Sequence, residues 1–128
     1  MKIHIYYFDT DCGGVVYHAN NLKFFEMART EYMEKRGLSI KDLMDKDTVF
    51  VIYKQEVTYK APVRYGEEIE ADARILDTSD VRVEFEQKIK NSDGAITTVA
   101  KITLICVDGK FNIKSMSPEI KQALLKKI

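Results

Sequence analysis

The first third of the chain combines a short apolar segment with one long amphipathic segment. Residues 3–8 are rich in β-branched and aromatic side chains, which predicts a short strand. After Gly13 and Gly14, apolar residues recur at helical spacing over residues 20–36, beginning at Asn20 or Asn21, with Gly37 as the stop. Residues 40–44 are predicted to form a shorter helix capped by Ser39. The apolar face of the long helix contains Leu22, Phe24, Phe25, Ala28, Tyr32 and Met33.

From residue 48 onward the pattern changes to the alternation that is typical of half-buried strands. We predict strands over residues 49–59, 67–76, 81–89 and 95–107. Pro62 ends the first of these, because proline cannot donate to a central ladder, and Asp93-Gly94 marks a hairpin turn. Ser117 and Pro118 have the cap and first-position chemistry of a helix start, which predicts a closing helix over residues 120–126.

These elements predict an α+β fold in which the long helix is wrapped by a curved antiparallel β-sheet. The helix has a broad apolar face, which the sheet must cover. The chain contains no repeats, linkers or low-complexity segments, so we expect residues 1–128 to form a single domain. Such a sheet keeps open edges, and long open edges pair with other strands. We therefore expect a homodimer.

Composition and charge exclude several classes of protein. Of the 128 residues, 45% are hydrophobic and 31% are charged, as in globular proteins. The 20 basic and 20 acidic residues cancel, which argues against a nucleic-acid-binding module. No segment approaches the ~18 consecutive apolar residues of a membrane span, and the first residues lack the pattern of a signal peptide. We therefore expect a cytoplasmic protein with Cys12 and Cys106 reduced and, because Cys and His share no ligand spacing, no metal site.

The strongest chemical signal is a carboxylate just ahead of the long helix. Asp11 precedes the Gly13-Gly14 pair by two residues and lies near a helix N-terminus, where unpaired N–H groups and the helix dipole converge. The N–H groups of residues 17–20 can stabilise an oxyanion, while Asp11 can attack a carbonyl or activate a water molecule. In isolation, Asp11 would equally suit a turn, where aspartate is common.

The residues around Asp11 carry a resemblance to a known family. Tyr7, Asp11, Gly14, Val16 and Asn20 have the spacing of the motif of the 4-hydroxybenzoyl-CoA thioesterase family, and the segment Phe25-Glu26-x-Ala28-Arg29-Thr30-Glu31 follows. The closer likeness is to its branch of Tol–Pal-associated acyl-CoA thioesterases (YbgC-like), and it extends over nearly the whole chain. This resemblance implies the hotdog fold and hydrolysis of acyl-CoA or acyl carrier protein thioesters without a metal or organic cofactor. It also implies dimers that associate further, to tetramers.

The resemblance also implies roles for individual residues. Asp11 takes the position of the catalytic carboxylate, and His18 takes the position whose backbone N–H binds the thioester carbonyl. The His18 imidazole could itself polarise the thioester or shuttle a proton, or it could merely pack. Tyr7 matches a tyrosine that lies beside the carboxylate, although a strand tyrosine could also be a core residue.

Further residues are expected to contact the substrate. Tyr17 and Asn20 lie at the helix end that receives the thioester. Phe50 and Val51 are expected to line an acyl pocket, although they could equally form a dimer core. The helix glutamates, one of which is the catalytic carboxylate in another hotdog branch, are expected to form surface pairs instead. The glutamates are Glu26, Glu31 and Glu34, and their expected partners are Arg29, Lys35 and Lys23.

Two other functions use the same fold. A hotdog dehydratase acting on acyl thioesters would need a differently spaced pair of His and Asp or Glu, which this sequence lacks. A non-catalytic acyl-CoA-binding or scaffold protein would use the same pocket without turnover. Release of free thiol from acyl-CoA distinguishes the enzyme from the scaffold protein.

Overall fold

Six strands and three α-helices make up the computed structural model, which describes residues 1–128. Strand β1 is followed by a 3-10 helix, by the long helix α1 and by the short helix α2. Five strands and the closing helix α3 complete the chain. The bounds are β1 Lys2–His4, 3-10 helix Tyr7–Asp9, α1 Asn20–Glu34, α2 Ile40–Asp45, β2 Val49–Tyr59, β3 Glu68–Ala71, β4 Arg74–Thr78, β5 Arg82–Lys90, β6 Ile96–Val107 and α3 Pro118–Leu124.

The strands form one antiparallel sheet in the order β1-β3-β5-β6-β2, with β4 paired to β5 beside β3. Strand β2 lies at one edge, because β6 is its only neighbour along 11 residues. The alternation on β5 is strict, and its buried positions are Val83, Phe85, Gln87 and Ile89. The sheet therefore presents one apolar face and one long unpaired edge.

Helix α1 packs on the apolar face of the sheet. Phe25 is fully buried, and Phe24, Ala28 and Met33 lie beside it in a core cluster of 22 buried residues. Burial of a phenylalanine side chain contributes about 2–3 kcal/mol, so this face supplies much of the force that holds the helix to the strands. Tyr32 at the far end donates its hydroxyl to the carbonyl of Leu124 at 2.7 Å, which ties α1 to α3. None of the three helices combines the length and apolar composition needed to cross a bilayer.

Most predicted elements are confirmed, and their local chemistry explains why. Helix α1 begins at Asn20 and ends at Glu34, two residues before the predicted end, and Gly37 follows with a φ of 77°. Ser39 and Ser117 cap α2 and α3 as predicted, each accepting a backbone N–H from the residue three positions later. These signals act over three or four residues and were therefore readable from the sequence.

Two strand predictions were wrong in extent. The strand predicted over residues 3–8 ends at His4, because the Asp9 carboxylate accepts the N–H of Tyr6 at 2.9 Å and winds the chain into the 3-10 helix. The strand predicted over residues 67–76 is divided into β3 and β4 at Asp72. Here the Asp72 carboxylate, in place of a ladder carbonyl, accepts the N–H of Lys88 at 2.9 Å.

Arg29 was predicted to lie on the surface, and this prediction was wrong. Its side chain is buried, and it donates to the Gln87 side chain at 3.0 Å. Burial lowers the pKa of Arg29 below its ordinary value, and the nearby Glu26 carboxylate opposes that change. Among the predicted surface pairs, Glu31 and Lys35 do meet, at 3.1 Å.

Candidate active site

The candidate catalytic carboxylate lies on a tight turn of a short hairpin between the 3-10 helix and α1. Gly14 donates its N–H to the carbonyl of Asp11 at 3.1 Å, and Asp11 donates its own N–H to Val15 at 2.9 Å. Thr10 and Val16 form an antiparallel bridge behind the turn. Gly14 has a φ of 76°, in the left-handed region that favours glycine. The glycine pair therefore lets the chain reverse immediately after the acid.

The side chain of Asp11 is exposed and is held at one oxygen. Oδ1 accepts the N–H of Gly13 at 2.8 Å, which is the hydrogen bond of an Asx turn. Oδ2 has no hydrogen-bond partner in the chain. Asp11 can therefore be both a turn residue and a catalytic carboxylate, because Oδ1 stabilises the turn while Oδ2 stays available for reaction.

Two backbone N–H groups at the start of α1 are free of acceptors within the chain. Tyr17 donates to the carbonyl of Asp9 at 2.9 Å and Asn20 donates to that of Tyr17 at 2.8 Å, whereas His18 and Ala19 donate to none. Ala19 occupies the N-cap position and has no side chain that could satisfy these groups. The sequence suggested the N–H groups of residues 17–20 as oxyanion donors. In the fold, only those of His18 and Ala19 are available to an oxygen from outside the chain.

The carboxylate and these N–H groups are close along the chain. Asp11 pairs with Val15, and His18 follows three residues later, so at most roughly 10 Å, the length of three extended residues, separates Val15 from His18 along the chain. The Asp11 side chain and the carbonyl group of a bound thioester would each extend over part of this distance. Asp11 and the free N–H groups therefore lie in the same part of the molecule.

A cavity of about 320 Å³ opens beside the start of α1. His18 lines it, and the His18 ring packs against Tyr17 at 4.6 Å and against Tyr59 at 6.0 Å between centroids. Asp11 is not among the lining residues, so a single chain does not enclose Asp11 and His18 in one cavity. The other lining residues are Val15, Val16, Asn21, Tyr59, Lys60, Ala61, Pro62 and Val63.

Tyr7 does not take either of the expected positions within the chain. It belongs to the 3-10 helix rather than to a strand, and it is 78% exposed, so the interpretation as a core residue was wrong. Its ring meets Tyr65 edge to face at 6.0 Å, and its hydroxyl makes no hydrogen bond to Asp11. The Tyr7 side chain therefore forms part of the exposed surface next to the turn that carries Asp11.

Only some of the residues that were expected to contact the substrate lie near the start of α1. The Tyr17 ring packs at a tilt against the His18 ring, and Asn20 donates its side-chain amide to the Asp9 carbonyl at 3.1 Å, which fixes the loop. Phe50 and Val51 lie near the start of β2, opposite Cys106 and Ile105, whereas the cavity borders the other end of that strand at Tyr59. Within one chain these two residues are remote from the start of α1.

Some residues of this region were missed from the sequence. Asn21, which is buried and lines the cavity, reads in the sequence as an ordinary residue of the first helical turn. Its only signal was the Asn20-Asn21 pair itself, since asparagine in a first turn commonly bonds to nearby backbone. Tyr59 and Pro62 were interpreted only as a strand end.

Neither cysteine forms a disulfide, and the two differ in accessibility. Cys12 is exposed on the turn, whereas Cys106 is buried on β6, where burial raises the pKa of its thiol. No three His, Cys, Asp or Glu side chains converge as metal ligands. The reactive groups on this turn and at the start of α1 are the Asp11 carboxylate, the Cys12 thiol, the His18 imidazole and the backbone amides.

Comparisons with known proteins identify the family of this chain. Residues 13–98 match the family model described as the Thioesterase superfamily. The chain is 37% identical over 106 residues to the acyl-CoA thioester hydrolase YbgC of Escherichia coli O6:H1, covering 83% of this chain and 79% of that protein. It is 30% identical over 125 residues to the acyl-CoA thioesterase YbgC of Haemophilus influenzae, covering 96% and 91%. The solved structure of a DHNA-CoA thioesterase from Staphylococcus aureus superposes with a TM-score of 0.91 at 28% identity, covering 96% of this chain and 85% of that one.

Proposed function

The chain belongs to the thioesterase superfamily, and from this premise we propose that Asp11 and the free N–H groups of His18 and Ala19 carry out its reaction. The protein is a thioester hydrolase with the hotdog fold, and it converts acyl-CoA to a free acid and a thiol. The observation that carries the proposal is the pair of acceptor-free N–H groups near the exposed, partly anchored carboxylate.

Each group has a distinct part in the proposed reaction. The N–H groups of His18 and Ala19 donate to the thioester carbonyl oxygen and stabilise the negative charge that develops there. Asp11 either attacks the carbonyl carbon through Oδ2, giving a mixed anhydride, or removes a proton from an attacking water. The C–S bond then breaks, and the thiolate leaves with the electron pair. On the nucleophilic route, a water molecule afterwards hydrolyses the anhydride, which releases the free acid and restores the Asp11 carboxylate. Because a thiolate is a good leaving group, little acid catalysis is needed.

The His18 side chain is assigned the smaller share of the catalysis. Its ring lies between Tyr17 and Tyr59 at the cavity, where it limits the approach of an acyl group. The backbone donor survives replacement of the ring. We therefore expect His18→Ala to lower kcat less than Asp11→Asn does, and an equal loss would make the imidazole essential.

The proposed active site is completed by a second copy of the chain. The outer edge of β2 is unpaired, and Ile52 and Tyr53 on this strand are exposed apolar side chains. Pairing along this edge would remove a long edge strand from solvent. Because β2 ends at Tyr59, which lines the cavity beside His18, a partner chain paired along β2 would also lie beside this cavity. The proposed assembly is a dimer that associates further, to a tetramer, and acts in the cytoplasm.

Steady-state hydrolysis of a panel of acyl-CoA thioesters tests the catalytic role of Asp11. The asparagine of Asp11→Asn keeps an oxygen for the N–H of Gly13, so the turn is expected to survive. We expect kcat to fall at least ~100-fold, the scale of losing an essential base or nucleophile. Asp9→Asn is the matched control, since it removes the same charge two residues away and keeps an acceptor for Tyr6. Equal rates for wild type and Asp11→Asn would refute the proposal.

An isotope experiment separates the two roles of Asp11. In single turnovers in ¹⁸O-water, a general base delivers every water oxygen to the acid product. A nucleophile allows water to attack the carboxyl carbon of Asp11, which leaves ¹⁸O in the peptide that contains this residue. Water could instead attack the acyl carbon of the anhydride and label only the product, so it is ¹⁸O found in that peptide by mass spectrometry that identifies Asp11 as the nucleophile.

Sedimentation analysis tests the assembly. Ile52→Lys and Tyr53→Lys place charges on the exposed edge strand, and we expect both variants to shift toward monomer and to lose activity together. Leu125→Lys at the end of α3 is the control, because Leu125 is a comparably exposed apolar residue outside the sheet. A fully active monomer would contradict the proposal that a second copy completes the site.

A further inference from the structure

Asn21 is a buried polar residue next to the free N–H groups of the proposed site. The residue is 5% exposed and contributes to the wall of the 320 Å³ cavity. Nδ2 donates to the carbonyl of His18 at 3.0 Å, and Oδ1 accepts the hydroxyl of Thr98 at 3.4 Å. The side chain thus joins the first turn of α1 to strand β6, 77 residues away in sequence.

The carbonyl that Asn21 holds belongs to the same peptide unit as the N–H of Ala19. A trans peptide is planar, and its C=O and N–H point in opposite directions. Holding the His18 carbonyl toward Asn21 therefore aims the Ala19 N–H away from it. The neighbouring peptide unit is fixed in the same manner by backbone alone, because the Tyr17 carbonyl accepts the N–H of Asn20 at 2.8 Å.

We propose that Asn21 is a positioning residue for catalysis, which, anchored by Thr98, fixes the His18–Ala19 peptide so that the Ala19 N–H points at the thioester oxygen. This inference rests on the proposed function above. The backbone N–H of Asn21 also donates to the His18 carbonyl, but at 3.3 Å, so the side chain provides the shorter of the two bonds. Because Asn21 is buried, water cannot readily replace its amide.

The inference predicts an effect on kcat rather than on substrate binding. An N–H group that is misdirected stabilises the transition state less but changes the bound ground state little. Complete loss of one oxyanion donor lowers the rate ~100- to 1,000-fold. Asn21→Ala leaves the donor present but less well oriented, so we expect kcat to fall about 10- to 100-fold with KM within about twofold of wild type.

Thr98 gives a second test that does not alter the helix end. Thr98→Val removes the hydroxyl that anchors Asn21 and keeps the shape of the side chain, and we expect a fall in kcat of about 3- to 10-fold, smaller than that of Asn21→Ala. Thr98→Ser keeps the hydroxyl and is expected to restore at least half of the wild-type kcat. The matched control is Thr97→Val. Thr97 is equally buried, but its hydroxyl donates to the carbonyl of Ile89 at 3.2 Å, away from Asn21.

The experiment measures kcat, KM and the thermal midpoint of all variants with one acyl-CoA substrate. A low kcat in Asn21→Ala and Thr98→Val, with rescue in Thr98→Ser and normal kcat in Thr97→Val, supports the positioning role. Wild-type kcat in Asn21→Ala, or equal losses in Thr98→Val and Thr97→Val, overturns it. If Asn21→Ala does not fold, the Thr98 variants decide. Full activity of Asp11→Asn marks failure of the proposed catalytic mechanism, which is distinct from failure of the role of Asn21.

Discussion

The buried contact between Arg29 and Gln87 provides a sharp test of how α1 is held on the sheet. Gln87 is fully buried on β5, and both the oxygen and the nitrogen of its side-chain amide form hydrogen bonds. Oε1 accepts from Arg29 Nη1 at 3.0 Å, and Nε2 donates to the carbonyls of Phe25 at 2.9 Å and Asp72 at 3.0 Å. One amide thus joins the helix, the sheet and the break between β3 and β4. Gln87→Met keeps the length of the side chain and removes all three bonds.

The expected cost follows from the charge that this substitution leaves behind. Arg29 is buried, and its only side-chain hydrogen bond is to Gln87. A buried donor left without its acceptor costs about 1–3 kcal/mol, and more when it is charged; because the carbonyls of Phe25 and Asp72 also lose a donor, the total is about 3–5 kcal/mol. For a chain of this length each kcal/mol lowers the thermal midpoint by about 4 °C, so Gln87→Met should melt roughly 10–20 °C below wild type.

Double substitution separates this mechanism from a general loss of packing. Arg29→Met combined with Gln87→Met removes the charge together with its acceptor, and we expect the pair to be more stable than Gln87→Met alone. Thermal and urea unfolding at one fixed protein concentration measure these differences, since assembly shifts the midpoint. Gln122→Met is the control for the chemical change, because Gln122 is exposed on α3. A midpoint within 3 °C of wild type for Gln87→Met would refute the reasoning.

Three further predictions concern the turn, the pH response and the thiols. Gly14→Ala should lose about 1–2 kcal/mol of stability, because its φ of 76° is unfavourable for alanine; an unchanged melting midpoint would contradict this. Backbone N–H donation from Asn112 lowers the pKa of Asp108, so its stabilisation is present above the unfolded pKa and is lost as pH falls through the folded one. Melting curves of wild type and Asp108→Ala should therefore differ at pH 7, begin to approach each other below about pH 4, and converge only at a pH below the lowered folded pKa. An aromatic disulfide reagent should titrate Cys12 in the folded protein and Cys106 only after unfolding, and two thiols reacting rapidly in the native state would argue against the burial of Cys106.

Much of the fold was predictable because its signals are local. Alternation over residues 82–90 and apolar spacing over residues 20–34 each reflect one element that packs on one core. The caps at Ser39 and Ser117 act within a single helical turn. The strand predictions failed where an aspartate carboxylate replaced a backbone acceptor, at Asp9 and at Asp72. The hydrophobic periodicity of those segments gives no indication of such a side-chain hydrogen bond.

In the candidate site, too, features set by neighbouring residues were predictable from the sequence and features set by distant residues were not. The sequence motif predicted that Asp11 lies on a turn ahead of a helix, and the structure confirms this position. The sequence could not choose among the N–H groups of residues 17–20, because the choice depends on the carbonyl of Asp9, which closes on Tyr17 only in the folded hairpin. Asn21 was overlooked for a similar reason, since its partner Thr98 lies on a strand 77 residues away.

By itself, the sequence determined the elements, their caps and the placement of an acid before the long helix, because each depends on interactions between residues a few positions apart. Only the tertiary structure decided which polar groups are satisfied. It buried Arg29 against Gln87, left the N–H groups of His18 and Ala19 free, and kept Phe50 and Val51 away from the start of α1. Hydrogen-bond partners of this kind are set by which strands and turns meet, and that depends on packing of the whole chain.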